Sequence, residues 1–208
     1  MKNKRGLLLV ISGPSGAGKG TVCAAVLKKY PEFKLSISAT TRSPRPGEED
    51  GVNYFFISKK EFDNRIKKND FIEWAEFCGN FYGTPKSNVE ALLSEGKDVI
   101  LEIEVQGALQ VKKAFPEAIL FFVVPPTADE LKQRLVGRGT ETEDKIAARL
   151  NQAEWEFSQA EKYSYILLND DVEKAVERFI KIIGSEKYSM EKNKDFIDDF
   201  SQSLKNIN

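Results

Sequence analysis

The chain has 208 residues, with 31 Lys and Arg against 32 Asp and Glu, and it contains no histidine. This length suits one domain with a substantial core, and the balanced charge excludes an overall field that would draw the chain onto nucleic acid. Imidazole bases and imidazole metal ligands are also excluded, so any chemistry depends on backbone amides, Lys, Arg and carboxylates.

No apolar run approaches the roughly 20 residues needed to cross a bilayer, so we expect a soluble protein without a membrane partner. The start MKNKRGLLLVISGPS imitates a signal peptide only superficially, because its apolar run breaks at Gly13 and Pro14 without a small-residue cleavage site. Cys23 and Cys78 stand far apart and form no CxxC, which indicates neither a disulfide framework nor a zinc site. The expected location is cytoplasmic.

Short apolar runs alternate with helix-patterned stretches along the chain. Runs of strand length occur at 7–12, 99–103, 120–124 and 165–168. Unbroken apolar runs of this length are typical of parallel strands buried on both faces, so we predict an α/β fold with a parallel sheet flanked by helices. Three capping boxes predict helix starts: Ser58 with Glu61, Thr127 with Glu130, and Thr140 with Glu143.

Three regions depart from this alternation. The stretch 36–88 is rich in Gly and Pro and has aromatic segments at 54–57 and 71–77, which predicts a small mixed β excursion. Residues 131–150 are interrupted by Gly137, Arg138 and Gly139, which predicts two helices that meet at a corner. The tail after residue 184 is polar with a weak apolar helical stripe, and docking, self-association into a homo-oligomer and fraying all stay open for it.

A glycine-rich segment follows the first predicted strand and precedes a helical run at 22–29. It contains Gly13, Pro14, Ser15, Gly16, Ala17, Gly18, Lys19, Gly20 and Thr21. This order of strand, loop and helix is that of a Walker A loop, in which backbone amides and the lysine bind a triphosphate tail. Gly20 stands where the motif has the Ser or Thr that binds magnesium, and Thr21 is a partial substitute.

Five further segments accompany the loop: SISATTRSPRPGE (36–48), GVNYFF (51–56), FIEWAEFCGNFYGTP (71–85), LEIEVQGA (101–108) and RLVGRGTET (134–142). In this order they resemble bacterial-type guanylate kinases, a family of P-loop nucleoside monophosphate kinases, to about residue 184. The resemblance implies Mg²⁺-dependent transfer from ATP to GMP, with dGMP as a further candidate acceptor, in purine nucleotide metabolism. It also implies a single kinase domain with a core (about 5–35, 97–126 and 163–184), a GMP-binding subdomain (about 36–90), a helical lid (about 127–150) and a tail (185–208).

The resemblance assigns GMP binding to eight residues: Ser38, Arg42, Arg45, Tyr54, Glu73, Tyr82, Thr84 and Glu104. Their chemistry suits this role, because two nearby arginines can fork onto one phosphate while the two phenols complete its cage. The Glu73 carboxylate can accept the N1 proton and the exocyclic amine of guanine, whereas adenine presents an unprotonated ring nitrogen. The hydroxyls of Thr84 and Ser38 can donate to the guanine O6.

The resemblance assigns phosphoryl transfer to five residues: Lys19, Arg42, Arg134, Arg138 and Arg149. It also assigns Asn169 to the adenine side of the ATP site. No deprotonating residue is required, because the GMP phosphate is already an anionic nucleophile. Strand alternation predicts that Glu102 and Glu104 lie on one side of a strand near its carboxyl end, where ligands collect. Glu102 or Thr21 is therefore a candidate for holding Mg²⁺, directly or through water.

Two other functions remain open at this stage. Guanylate-kinase-like domains also serve as protein-interaction scaffolds, although the intact Gly18-Lys19 pair and the arginine-rich lid argue against that. The GKGT ending of the loop also suits adenylate kinases, and the pair Glu73 and Thr84 disfavours this alternative. For each single Arg or Glu named above, an ordinary solvated surface residue is the competing interpretation.

Overall fold

In the computed structural model the described residues are 5–77, 79–136 and 143–206. The helices and strands follow in chain order as β1 Leu8–Ser12, α1 Lys19–Lys29, β2 Lys34–Leu35, β3 Ala39–Thr40, β4 Phe55–Phe56, α2 Lys59–Lys67, β5 Phe71–Phe77, β6 Asn80–Pro85, α3 Lys86–Ser94, β7 Val99–Glu102, α4 Val105–Ala114, β8 Ile119–Val124, α5 Ala128–Val136, α6 Glu143–Ser158, β9 Tyr165–Leu168, α7 Val172–Glu186 and α8 Lys194–Lys205. Helices and parallel strands alternate through most of the chain, which confirms the predicted α/β class.

The main sheet has five strands in the order β2-β7-β1-β8-β9, and every neighbouring pair is parallel. Its four longer strands are those predicted from the apolar runs. Strand β2 has only two residues and lies at one edge of the sheet. No apolar run in the sequence predicted it. Because all strands point the same way, their carboxyl ends meet at one edge of the sheet, where ligands of such folds bind.

The core lies on both faces of this sheet. Leu9 and Ile11 of β1 pack in one cluster with side chains of α1 and α7. Leu8 and Val10 of the same strand pack in a second cluster with side chains of α3 and α4. The alternation along β1 therefore supplies two apolar layers at once, which is why this strand is apolar without interruption.

A second sheet of four strands, in the order β4-β3-β6-β5, is formed by the excursion. Strands β3 and β4 are parallel, whereas β6 pairs antiparallel with both β3 and β5, so the sheet is mixed as predicted. Its own small core is centred on Phe62 of α2, whose ring stacks on Phe71 at a centroid distance of 4.5 Å. This second core gives residues 36–88 a scaffold of their own.

Capping at the helix starts follows the sequence prediction where the structure describes it. The Ser58 hydroxyl accepts from the Glu61 amide at 3.2 Å, and the Thr127 hydroxyl accepts from the Glu130 amide at 3.1 Å. The predicted box at Thr140 and the glycine corner around Arg138 lie outside the described residues. Helix α1 begins at Lys19, three residues before the predicted start, because the helix follows the left-handed Gly18 directly.

The tail forms the helix α8, with its apolar stripe of Phe196, Phe200 and Leu204 exposed. This agrees with the helical stripe seen in the sequence. No helix among the described residues combines the length and apolar character needed to span a bilayer.

Phe179 of α7 provides a test of the core. Its side chain is fully buried, and its ring lies 4.8 Å from that of Phe121 and 5.9 Å from that of Phe33, measured between centroids. Replacing Phe179 with Ala should lower the free energy of unfolding by about 3 to 5 kcal/mol in urea denaturation, because it leaves a cavity. The matched change Phe200→Ala on the exposed face of α8 should stay within about 0.5 kcal/mol of the parent. Similar losses in the two variants would contradict this assignment of the core.

Candidate active site

Lys19 opens α1 at the end of the glycine-rich loop and is only 9% exposed. Its ammonium donates to the carbonyl of Gly13 at 2.7 Å and to that of Pro14 at 3.4 Å, and it lies 3.4 Å from Glu104 Oε2. The side chain thus folds back across the loop. Loop and lysine form one unit in which a buried positive charge is held by oxygen atoms.

The far side of the loop is braced through the carbonyl of Ala17. This oxygen accepts from Asn169 Nδ2 at 2.7 Å and from Arg134 Nη1 at 3.3 Å, and Arg134 Nη2 also donates to the carbonyl of Asn169 at 3.0 Å. Gly18 has a φ of 90°, and a Cβ there would stand 2.3 Å from Asn169 Nδ2. Glycine is needed at this position for both its left-handed backbone and its lack of a side chain.

Arg149 of α6 reaches the same loop, with Nη1 at 3.4 Å from the Ser15 hydroxyl. Arg134, Arg149 and Asn169 come from α5, α6 and the end of β9, and the fold brings all three to the predicted phosphate loop. Arg138 lies outside the described residues.

Glu102 ends β7 and borders Gly20, where its Oε1 would be 3.2 Å from an added Cβ. Burial raises the pKa of Glu102, and the nearby charge of Lys19 opposes that rise. Alternation predicted that Glu102 and Glu104 lie on one side near the end of the strand, but the strand stops at Glu102, and Glu104 is the N-cap of α4. Glu104 nevertheless contacts Lys19, and the charge of Lys19 also acts on Glu102. Thr21 is exposed at the start of α1.

Arg42 is held by Glu48, a residue to which the sequence analysis gave no role. The two guanidinium nitrogens Nη1 and Nη2 donate to Glu48 Oε2 and Oε1 at 2.8 and 2.9 Å, and the amide of Arg45 donates to Oε2 at 2.7 Å. These donors, Arg42 above all, lower the pKa of Glu48 to about 2. A carboxylate therefore orients Arg42 and the backbone of Arg45 together, while the side chain of Arg45 stays at an exposed position.

Aromatic side chains surround the Arg42 guanidinium. Its Cζ lies 5.4 Å from the ring centroid of Tyr54, and the rings of Tyr54 and Tyr82 meet edge to face at 6.1 Å. The fold thus brings together three of the residues expected at a phosphate. Ser38 is half-buried beside them, and its carbonyl accepts from the Phe55 amide at 2.9 Å.

Glu73 of β5 is a buried acid, with 5% of its surface exposed. It stands opposite Thr84 of β6, whose hydroxyl donates to Glu73 Oε1 at 2.6 Å. Burial raises the pKa of Glu73 to about 7, and the hydrogen bonds from Thr84 partly oppose the rise. The Thr84 hydroxyl therefore donates its hydrogen bond to Glu73 here, whereas the sequence predicted a hydrogen bond to the guanine O6.

A second buried acid, Glu156 of α6, was not singled out from the sequence. Its pKa is raised to about 7 by burial, its Oε1 accepts from Gln152 at 3.4 Å, and its Oε2 has no hydrogen-bond partner. The charges of Glu104 and Lys19 also act on it. The sequence signal that could have indicated this burial is the spacing of three residues between Ala153 and Glu156. This spacing puts the carboxylate on the same side of the helix as the buried Ala153.

Titration of Glu73 should be visible in the stability of the chain. The folded pKa of about 7 exceeds the ordinary 4.5, so folding is favoured by the protonated acid and this contribution is lost as the pH rises from about 4.5 to about 7. We expect the free energy of unfolding of the parent, minus that of Glu73→Gln, to fall across this window and to level off above it. Glu156 titrates in both proteins and cancels in the difference. A difference that is flat with pH, measured by urea denaturation, would contradict the buried state of Glu73.

Comparison with known proteins agrees with this geometry. A sequence model described as guanylate kinase matches residues 5–186. Guanylate kinase from Desulfitobacterium hafniense is 52% identical over 187 residues, which cover 90% of this chain and 94% of the relative. Guanylate kinase from Caldanaerobacter subterraneus is 53% identical over 192 residues, which cover 92% of this chain and 93% of the relative. The crystal structure of guanylate kinase from Anaplasma phagocytophilum superposes with a TM-score of 0.73 at 32% identity, covering 89% of this chain and 88% of that one. The chain belongs to the guanylate kinase family.

Proposed function

We propose that this chain transfers the terminal phosphoryl group of ATP to GMP, giving ADP and GDP. The observation that carries the proposal is the position of α4. Its N-cap, Glu104, contacts Lys19 of the phosphate loop, and Gly107 in its first turn faces the carboxylate of Glu73. These two helix positions are only about 4.5 Å apart along the axis. The proposal therefore puts a triphosphate site and a base-reading carboxylate next to each other, as a transfer between two nucleotides requires.

The donor nucleotide binds at the loop from Gly13 to Thr21. Loop amides and the N-terminus of α1 attract the phosphates, and Lys19 supplies the charge at the β and γ positions. Asn169 donates to the Ala17 carbonyl of the loop. This position beside the loop supports the proposed role of Asn169 on the adenine side of ATP. Arg134 and Arg149 already lie at the loop edge, 3.3 and 3.4 Å from loop oxygen atoms. From there they can meet the negative charge that spreads over the transferred group.

GMP binds between the two sheets. Its phosphate lies against Arg42, Arg45 and the phenols of Tyr54 and Tyr82, and Glu48 keeps Arg42 turned toward them. The base lies at Glu73, where an ionised carboxylate accepts two N–H groups of guanine, with Ser38 and Thr84 nearby. Adenine offers no N1 proton, so a pocket of this kind should reject AMP by a factor of up to about 10⁴ to 10⁵.

The residues present fit a magnesium ion held largely by phosphates and water. Mg²⁺ usually takes only one or two protein oxygens in such sites. The Glu102 carboxylate borders Gly20, where the motif hydroxyl is missing, and Thr21 provides a hydroxyl one residue on. Across the described ranges, no group of three or more His, Cys, Asp or Glu side chains has the arrangement of a metal cluster. When bound, the ion neutralises charge on the phosphates, and Glu102 or Thr21 would hold it.

The first test is an assay of ADP release from MgATP with GMP, dGMP, AMP, CMP or UMP at equal concentrations. We expect rapid release with GMP, which also determines whether dGMP is an acceptor. Comparable turnover with AMP would contradict the role of Glu73. If no acceptor supports transfer while a peptide partner binds, the chain is a scaffold and the proposed activity is wrong.

The second test removes the charge of Lys19. We expect Lys19→Met to lower kcat on the order of 100- to 1000-fold, because a preorganised positive group at the transferring phosphate is lost. The matched control is Lys29→Met at the other end of α1, where the ammonium is exposed and pairs with Glu173 at 3.1 Å. Turnover of the control should equal that of the parent. An active Lys19→Met variant with a parent-like melting curve would remove Lys19 from the mechanism.

A further inference from the structure

We propose that Gly107 determines the specificity of the acceptor site by leaving open the space in which the Glu73 carboxylate lies. This inference rests on the proposed function, because it concerns how the same site chooses guanine. Glu73 would contact the base, and Gly107 is a positioning residue that acts through it.

The space at Gly107 is occupied by Glu73 itself. A Cβ added to Gly107 would stand 2.4 Å from Glu73 Oε2, 3.1 Å from Cδ and 3.5 Å from Cγ. The first of these distances is far inside van der Waals contact. Alanine at 107 therefore cannot coexist with the carboxylate in its present position, and one of the two must move.

Glu73 has little freedom to move aside. Its Oε1 accepts from the Thr84 hydroxyl at 2.6 Å, and the residue is 5% exposed. Gln110, one helical turn after Gly107, also clamps the next residue of β5: Oε1 accepts from the Trp74 amide at 3.2 Å and Nε2 donates to the Trp74 carbonyl at 2.9 Å. Helix and strand are thus tied together next to the contact. A side chain at 107 must push the carboxylate away from Thr84 and out of register with the base.

Backbone conformation gives no reason for glycine at this place. Gly107 lies inside α4 and is absent from the glycines with positive φ, so alanine could adopt the same backbone. Alanine is also the better helix former. Glycine consequently makes the helix less stable than alanine would, and its lack of a side chain leaves room for the Glu73 carboxylate.

Gly107→Ala and Gly184→Ala form a matched pair of variants. Gly184 lies in α7 with no heavy atom within 4 Å of an added Cβ, so its replacement changes helix propensity alone. Three quantities are measured for each variant: the GMP affinity by titration calorimetry, the KM values for GMP, AMP and ATP, and the melting temperature. We expect Gly107→Ala to weaken GMP binding about tenfold or more, because overpacking displaces the buried acid, and to reduce the preference for GMP over AMP. KM for ATP should hold while the melting temperature falls by about 2 to 8 °C because of the overpacking, and Gly184→Ala should bind GMP like the parent.

A double-mutant cycle with Glu73→Ala separates this role from a general effect on the fold. Without the Glu73 side chain there is nothing to displace, so Gly107→Ala should change GMP affinity in that background by less than about twofold. An equal loss in both backgrounds, or no loss in the parent background, would overturn the inference. A parent chain that binds GMP without transferring phosphate would contradict the proposed function only, since the cycle is measured by binding. A parent chain that does not bind GMP would overturn both.

Discussion

The carbonyl groups of the phosphate loop need donors, and the arrangement of the site follows from how this need is met. A buried backbone oxygen without a partner costs stability, so a loop whose amides serve a ligand must satisfy its carbonyls from elsewhere. Lys19 serves Gly13 and Pro14, while Asn169 and Arg134 share Ala17. The groups that hold the loop are therefore cations and an amide taken from α1, α5 and the end of β9. Positive charge is gathered at the loop by the same bonds that shape it.

Three of the cations in the candidate site have a carboxylate beside them. Lys19 has Glu104, Arg42 has Glu48, and Arg134 has Glu130. These pairs restrict long side chains, which would reduce the ordering cost of binding a phosphate at the proposed site. Burial raises the pKa of Glu73 and of Glu156 to about 7, so each carries only part of a negative charge near neutral pH. Charge pairs thus order the long side chains of the candidate site.

Much of the fold could be predicted because its signals are local. The four long parallel strands, the loop with Lys19 and the caps at Ser58 and Thr127 are each written in fewer than a dozen consecutive residues. Strand β4 lies in the aromatic segment 54–57, whereas the other two-residue strands, β2 and β3, depend on partners distant in sequence. The same holds for the site: resemblance directed attention to Arg42 and Glu73, but their partners Glu48 and Gly107 follow only from side-chain positions in space. Strand alternation does not account for the position of Glu104, because β7 ends at Glu102 and Glu104 is the N-cap of α4.

The two tryptophans of the chain lie directly beside the two buried acids. Trp74 follows Glu73 on β5, Trp155 precedes Glu156 on α6, and the side chains are partly exposed, at 38% and 42%. Indole emission depends on local polarity and on nearby charge. Ultraviolet-excited fluorescence of the unlabelled protein therefore reports on two separate places, the proposed acceptor pocket and the helix that carries Arg149. Replacing either indole with Phe would assign each part of the spectrum to its own element.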